Sequence, residues 1–521
     1  VGRFGLCGSS YRSQSPNADD QVLVNFILEQ DESQQGKAAF YLYPSPGLAL
    51  FSALGDTPLR GWGLFIVNGG TQQVQSQSVK NIVSTSIVGS SRQRCFAVAG
   101  SSLYEVFADG TNLFLGTIAN DGNPVSMCSS SQQLFLASAG LTYALNLTTN
   151  IFAAINQANF VDKVTQVGYC DGFFLALIAN SNKFQVSTLL DCTSWNLANI
   201  TAISVFPDNA IALFVDHREP WLFCATKSVV YYDSGNADFP FDVVPGGYIE
   251  QGSVAQFSPV HLDNSIFWIG GDERGSGIGW RAQGYTPTRV TDFATELAWQ
   301  SYPTISDAVS YSFQMNGHSF WHVYFPTADA SWRYDVSNNK WSQVDSFING
   351  ISHAHKSCCH AFVFGKHLVG DPTSGNIYQM AIPVLVNGSW TFADDAGNPI
   401  RRVRRAPPIS SENKWIRLDQ LEIDMETGLG NAIDPGSDPQ IMLRWSKDGG
   451  HTWSQPVQLS AGKIGEYRKR VIQRRLGIAR SWIFEISVTD PIPWRIIDGY
   501  LQGTGFQVPT ERLSKQLGKS A

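Results

Sequence analysis

Apolar and polar residues along this chain alternate in short blocks rather than at helical spacing. The clearest stretch, Asp208–Phe241, reads DNAIALFVDHREPWLFCATKSVVYYDSGNADFPF. Its apolar runs Ala210–Val215, Trp221–Ala225 and Val229–Tyr232 are broken by the polar corner Asp216–Glu219 and by Lys227–Ser228, and the last run stops at the turn signal Asp233–Asn236. Short β-rich runs with breaks of two to four polar residues predict an antiparallel meander. Three or four such strands form a sheet that cannot bury both faces alone. The rest of the chain must cover it.

The same local pattern recurs. An aromatic-containing strand followed by an Asp, Asn or Gly turn is found at Leu103–Val106, Tyr143–Asn146, Val230–Asp233, Trp332–Asp335 and Asn376–Gln379. The tyrosines concerned are Tyr104, Tyr143, Tyr231, Tyr334 and Tyr378. With Gln185–Ser187 and Gly279–Ala282 filling the two long gaps, the mean period is roughly 40–50 residues, that of a four-stranded propeller blade. A set of β-sandwiches with similar turns is the alternative. Radial packing favours the propeller because it leaves only short, protected edges, and pairing the two chain ends can close the ring.

The flanks read differently. Residues 1–40 contain a loop, Tyr11–Asp20, a single apolar strand, Val22–Leu28, and a polar stretch, Asp31–Lys37. They are expected to form an N-terminal arm whose strand completes a distant sheet. The propeller body is assigned to 41–400. Its best helical candidate is Thr291–Gln300, with Thr291 or Asp292 as cap. Across Val384–Pro408 the composition shifts to a polar, Gly-containing and then Arg-rich segment, read as a linker or inter-domain strand. Strands at Trp415–Met425, Ile441–Ser446, Thr452–Leu459, Val471–Arg475, Trp482–Val488 and Ile496–Leu501 then predict a sandwich-like domain over 401–505. Residues 506–521 read as a tail. The expected fold class is all-β: a β-propeller-like body of four-stranded blades with an additional C-terminal β-domain.

Composition narrows the function classes. At 521 residues the chain exceeds one compact core. A net charge of −7 argues against a sequence-specific DNA reader with a broad basic face, yet suits a surface past which DNA must slide without sticking. The eight scattered cysteines read as buried free thiols in a reducing compartment. No stretch has the ~18 apolar residues of a membrane span, and Val1–Ser15 lacks a secretory apolar core. The expectation is a soluble protein made in the cytoplasm.

Four motifs invite chemistry. Ser446-Lys-Asp448-Gly449-Gly450-His-Thr452-Trp453 resembles the Asp box of sialidase propellers, a fold-stabilising turn usually remote from catalysis. His353, His355, Cys358, Cys359 and His360 lie close in sequence, but without C-x-x-C spacing they read as a loop entering a strand rather than a zinc site. Arg401–Arg405 and the pair Arg468–Arg470 with Arg474-Arg475 are basic clusters, read mainly as a solvated face or subunit-interface ion pairs, with DNA-backbone contact as the alternative. Gly270–Gly277 precedes a strand, so it is a hairpin turn and not a phosphate loop. Lys366-His367 near Asp371 lacks a nucleophile context. The corner Asp216–Glu219 is read as a charged hairpin, structural or at a subunit contact. No catalytic, cofactor-binding or metal residue is assigned.

A family resemblance enters with longer runs. Asp208–Phe241, Leu262–Ile305, His318–Val336 and His360–Tyr378, with Asp424–Gly428, Leu443–Trp453 and Gly465–Gly477 in the C-terminal part, resemble the packaged-DNA stabilisation proteins of short-tailed bacteriophages, also called tail hub, tail accessory or nozzle proteins. The likeness runs from about Tyr11 to Leu501 and is thinnest over 50–160. It implies a non-enzymatic virion protein without cofactors. Six copies would form a ring below the portal and head-to-tail adaptor, extend the DNA channel, help to retain packaged DNA until ejection, and dock the tail needle or tip and tailspikes or fibres. Double-stranded DNA would pass the lumen without sequence-specific binding. The competing reading, carried by the Asp box, is a propeller glycosidase or glycan-binding module acting on host-surface polysaccharide.

Overall fold

The computed structural model describes residues 2–33, 35–55, 58–68, 91–203, 208–272, 275–412 and 414–506. Within them the meander pattern becomes seven antiparallel blades arranged in a ring. Blade 1 comprises Leu59–Asn68, Ser91–Ala99, Ser102–Val106 and Asn112–Thr117. Blade 2 comprises Ser126–Ser129, Gln133–Ser138, Leu141–Asn146 and Phe152–Ala154, and blade 3 Val164–Cys170, Phe173–Ile178, Lys183–Thr188 and Asp191–Ala202. Blade 4 is the stretch met first, now Ala210–Asp216, Glu219–Cys224, Ser228–Asp233 and Phe241–Ile249. Blade 5 is built on Val260–Leu262, Ser265–Asp272, Gly275–Gln283 and Thr286–Arg289, with Gly252–Ser253 added at its edge. Blade 6 is Val309–Met315, His318–Phe325, Ala330–Asp335 and Lys340–Gln343.

Blade 7 closes the ring from both ends of the body. Cys359–Val363, Lys366–Gly370 and Asn376–Ala381 supply its first three strands, and Gly47–Ala53 pairs antiparallel with the third, from Asn376↔Ala53 to Ala381↔Gly47. The strand that completes this blade is therefore 47–53, while the N-terminal strand expected to complete a distant sheet is Asp20–Val24, which pairs with Arg402–Arg405 and, at Val24, with Gln343.

The sheet that cannot bury itself is covered by its neighbours, on both faces. In blade 2, Leu134 and Leu136 pack with Phe96 and Val98 of blade 1, while the alternating Phe135 and Ala137 pack with Phe174 and Ala176 of blade 3. Leu175 and Leu177 meet Leu213 and Leu222 of blade 4; Trp221 and Phe223 meet Ile266 and Trp268 of blade 5. The series runs on through Phe267, Ile269 and Trp321, through Tyr311, Phe320 and Val369, and back to blade 1 through Leu59, Cys95, Ala97 and Leu368. Period-two alternation with both faces buried explains why the second strands read as unbroken apolar runs.

Polar contacts tie the same neighbours. Tyr285 of blade 5 donates to Glu219 of blade 4 at 2.7 Å, the Cys192 amide of blade 3 donates to Gln133 of blade 2 at 2.8 Å, and the Phe364 amide of blade 7 donates to Gln93 of blade 1 at 3.1 Å. The helix forms at Phe293–Gln300, between blades 5 and 6, and its cap is Asp292, whose carboxylate accepts from the Thr295 amide at 2.8 Å.

The C-terminal part is a two-sheet sandwich. One sheet holds Phe26–Gln30, Phe40–Pro44, Ile496–Phe506, Trp415–Met425 and Val471–Ala479. The other holds Asp20–Val24, Arg402–Arg405, Ser481–Val488, Gln440–Ser446 and Val457–Ser460, and is hydrogen-bonded to blade 6 where Val24 pairs in parallel with Gln343. Leu6, Leu23, Phe26, Leu28 and Leu42 enter the same core as Leu421, Trp482, Phe484 and Trp494. The N-terminal segment is thus a structural part of the sandwich, and blade 6 and the sandwich share one continuous sheet. Residues 507–521, most of the expected tail, lie outside the described residues.

Candidate interaction surfaces

The first strands of the blades line a central channel of about 910 Å³. Its walls include Arg60, Gln166, Tyr169, Leu213, Phe257, Asp307, Tyr311, Tyr324 and His360. Arg60, the one arginine among the described lining residues, is used structurally. Arg60 donates to the carbonyls of Asn123 (2.7 Å), Gly100 (2.9 Å) and Ala119 (3.2 Å), to Asp121 (2.8 Å) and to Ser138 (3.0 Å), fastening blade 1 to blade 2. Burial and the adjacent His367 hold His360 down at about 3, so it is neutral at physiological pH. Asp307 is the sole carboxylate among the described lining residues.

The histidine–cysteine run does not converge. His353 pairs with Asp329 at 2.7 Å on an exposed hairpin, while His355 is buried, bonded to Ser357 at 2.6 Å and pushed down to about 3 by burial and by Arg333. The Cys358 thiol faces the carbonyls of Leu59 and Gly370, 3.7 and 3.4 Å away. All eight cysteines are free thiols, six of them buried. Lys366 lies over the Phe51 ring, and Asp371 caps its own turn by accepting from Thr373 and Ser374. Gly270–Gly277 is a hairpin in blade 5 with Asp272 paired to Gly275; its tip, 273–274, lies outside the described residues.

The Asp box spends its groups on its own turn. Asp448 accepts from the Thr452 amide (2.9 Å), the Thr452 hydroxyl (2.6 Å) and the Ser446 hydroxyl (2.7 Å), which pull its carboxyl down to about 2. Gly449 and Gly450 take φ of 72° and 94°, as a turn of this shape requires. The guanidinium groups of Arg405 and Arg444 lie over the Trp453 ring at 4.8 and 4.7 Å. The box sits on the sandwich, away from the propeller channel.

The arginine clusters divide sharply. Strand alternation sends Arg402 and Arg404 inward, both fully buried, which corrects the expectation of a solvated or interfacial face. Arg404 donates to the carbonyls of Leu6 (2.6 Å), Ser9 (2.9 Å) and Val22 (3.4 Å) and to the Gln21 side chain (2.7 Å). Arg402 lies beside Asp395, and burial holds it at about 10. Arg405 pairs with Asp20 and with Glu485. The second cluster is external: Arg468, Lys469, Arg470, Arg474 and Arg475 are all exposed, with Arg470 paired to Glu422 at 2.6 Å.

One grouping was hidden from sequence reading. The corner Asp216–Glu219 is the hairpin between the first two strands of blade 4, and it receives His261 from the first strand of blade 5. Asp216 Oδ2 lies 2.8 Å from His217 Nδ1, and Asp216 Oδ1 lies 2.7 Å from His261 Nδ1. His217 Nε2 meets Asn264 Oδ1 at 2.8 Å.

No helix among the described residues is long and apolar enough to cross a membrane. No curated protein matches the chain. Two family descriptions match it, in agreement with the two parts seen in the structure: "Bacteriophage P22 Gp10, beta-propeller" over residues 8–383 and "Bacteriophage P22 Gp10, beta-sandwich" over residues 401–503. A seven-bladed ring joined to a two-sheet sandwich, matched over both parts, makes this chain a member of the bacteriophage P22 Gp10 family, structural phage tail proteins of DNA stabilisation.

Proposed function

We propose that this protein is the repeating subunit of a homohexameric tail hub, or nozzle, that extends the DNA channel below the portal and head-to-tail adaptor. In this reading it helps to retain packaged DNA until ejection and docks the tail needle or tip and the tailspikes or fibres. Family membership across both domains carries the proposal.

The channel geometry supports placing DNA between subunits and not within one. Averaged over a strand length of about 17–20 Å, a volume of about 910 Å³ leaves a cross-section of about 50 Å². A DNA duplex, whose major groove alone is about 12 Å wide, cannot thread it. A conduit for DNA therefore requires several copies around a shared axis. The seven inter-blade cores and the sheet shared with the sandwich suit a wall element that must stay rigid, and the net charge of −7 suits a surface past which DNA slides.

Electron microscopy of purified tails is the test. Six copies ringed around the tail axis, with the duplex density passing between them, is the expected result. A protein absent from the particle, or present as single copies at fibre tips, overturns the proposal.

A further inference from the structure

The Asp216 hairpin is unusual in its turn chemistry. His217 and Arg218 occupy the two central positions with φ of 49° and 66°, where a two-residue hairpin ordinarily uses Asn or Gly. Two bulky residues in the left-handed region cost energy that the surroundings must offset. What this conformation achieves is placement. It turns the His217 imidazole back onto the carboxylate of the residue before it, and the same carboxylate meets His261 from the next blade.

Three donor atoms of types suited to a transition metal thus converge: a carboxylate oxygen of Asp216 and Nδ1 of His217 and His261, all within 4.8 Å of one another. Among the described residues no other group of three or more such side chains meets this condition. The two shortest separations, 2.7 and 2.8 Å, and the half-exposed imidazoles leave room for small rotations to a shared centre with bonds of about 2.0–2.2 Å. The outer nitrogen of His217 is held by Asn264 at 2.8 Å, the arrangement by which a second partner orients a ligating imidazole. Two imidazoles with one carboxylate select Zn²⁺ or a neighbouring transition metal over Mg²⁺ or Ca²⁺, which demand oxygen ligands. With both rings partly open to solvent, water completes the coordination.

We propose that Asp216, His217 and His261 form a Zn²⁺-class site that clips blade 4 to blade 5 at the rim of the propeller. The role is structural. A divalent cation at this point replaces a pair of hydrogen bonds with bonds that span two blades, so it stabilises the folded ring in proportion to its occupancy.

The test uses the full chain, stripped with a chelator and titrated with ZnCl₂ by calorimetry, with Co²⁺ as a spectroscopic probe. One equivalent of Zn²⁺ is expected to bind and to raise the unfolding temperature. Asp216→Asn and His261→Gln are each expected to lower affinity by more than about tenfold and to abolish the temperature shift; Asn264→Ala should lower it by about tenfold, as outer-partner changes do. His353→Gln, which removes the exposed His353–Asp329 pair on another blade, serves as the control and should bind like the parent. Because His261 is half-exposed, its variant reads the site even should Asp216→Asn fail to fold. Absence of stoichiometric binding by the parent, or undiminished binding by His261→Gln, refutes the site; loss of binding in His353→Gln refutes it equally.

Discussion

Replacing Arg404 with methionine isolates what joins the N-terminal segment to the sandwich. The side chain is fully buried and contributes four hydrogen bonds, three of them to backbone carbonyls of Leu6, Ser9 and Val22. Methionine fills much of the volume but leaves these acceptors and the Gln21 amide oxygen without a donor. Each stranded buried group costs about 1–3 kcal/mol, so the four cost about 4–12 kcal/mol. Against this, burial holds the guanidinium down at about 10, below the ordinary arginine range, and removing it recovers about 3 kcal/mol of that desolvation. The net expectation is a loss of about 1–9 kcal/mol. Trp482 and Trp494 lie in the core the segment completes, so fluorescence during urea unfolding reads the change as a lowered midpoint. Limited proteolysis should show new cleavage between Ser9 and Gln21. Arg404→Lys, which keeps the charge but loses the planar fork, should fall between parent and methionine variant. An unchanged midpoint in Arg404→Met with no new cleavage refutes the assignment of Arg404 as the tie.

Two further perturbations test the ring. Leu48 is buried against Val369, Tyr378 and Met380 in the blade that closes the propeller, so Leu48→Ala should cost about 2–5 kcal/mol. Amide exchange should then accelerate in 376–381 together with 47–53, since the two strands share one ladder; acceleration confined to 47–53 counts against closure by pairing. Acid should act chiefly through His322 and His355, buried neutral in blade 6 and the segment before blade 7, and through His360 of the channel wall, with His322 well below its ordinary value and His355 and His360 at about 3, all chiefly from burial. For a histidine whose folded-state value lies below its unfolded value, stability is complete above about 6.5 and falls as pH drops, because the unfolded chain binds protons the folded one refuses. Each contributes a slope of about 1.4 kcal/mol per pH unit below 6.5. The partly buried His318, raised by its bond to Asp335, works in the opposite sense, lending stability below 6.5 that is lost as pH rises. Urea midpoints at pH 7.5, 6 and 5 should therefore decline toward acid, and His355→Asn should flatten the decline; an equal decline in that variant refutes the assignment.

The repeat was legible because each blade solves the same problem at the same place. Tyr104, Tyr143, Tyr231, Tyr334 and Tyr378 fall in the third strands of blades 1, 2, 4, 6 and 7, and the two weaker fillers, Gln185–Ser187 and Gly279–Ala282, fall in the third strands of blades 3 and 5. In blades 1 to 6 that strand runs through a hairpin into the fourth, so aromatic and turn residues stand together in sequence; in blade 7 the fourth strand is Gly47–Ala53 and no such hairpin follows. Ring closure was legible only as a principle. The Gly47–Ala53 strand carries no mark that distinguishes a closing strand from a local one, because its partner, Asn376–Ala381, lies more than 300 residues away. The same distance concealed the union of 20–44 with the sandwich. Its apolar residues, Leu23, Phe26, Leu28 and Leu42, announce burial but not the sheet in which they are buried.

Polar residues were read less well than apolar ones, for a physical reason. Four arginines within five positions suggest a charged surface, and on a solvated strand that inference is sound. Arg402 and Arg404 are buried because alternation places them inside and because Asp395 and the arm carbonyls happen to lie there, brought by elements far away in sequence. The Asp216 corner failed in the opposite direction. Within its own four residues it offers a carboxylate and one imidazole, too few for a metal; the second imidazole, His261, arrives only because blade 5 packs against blade 4. Between consecutive blades of a propeller a contact joins segments roughly one repeat apart, so a site built across such a seam is split in the sequence at about the repeat length. Chemistry in this fold is therefore best sought by pairing each first-hairpin residue with the first strand of the following blade, the comparison that joins Asp216 and His217 to His261.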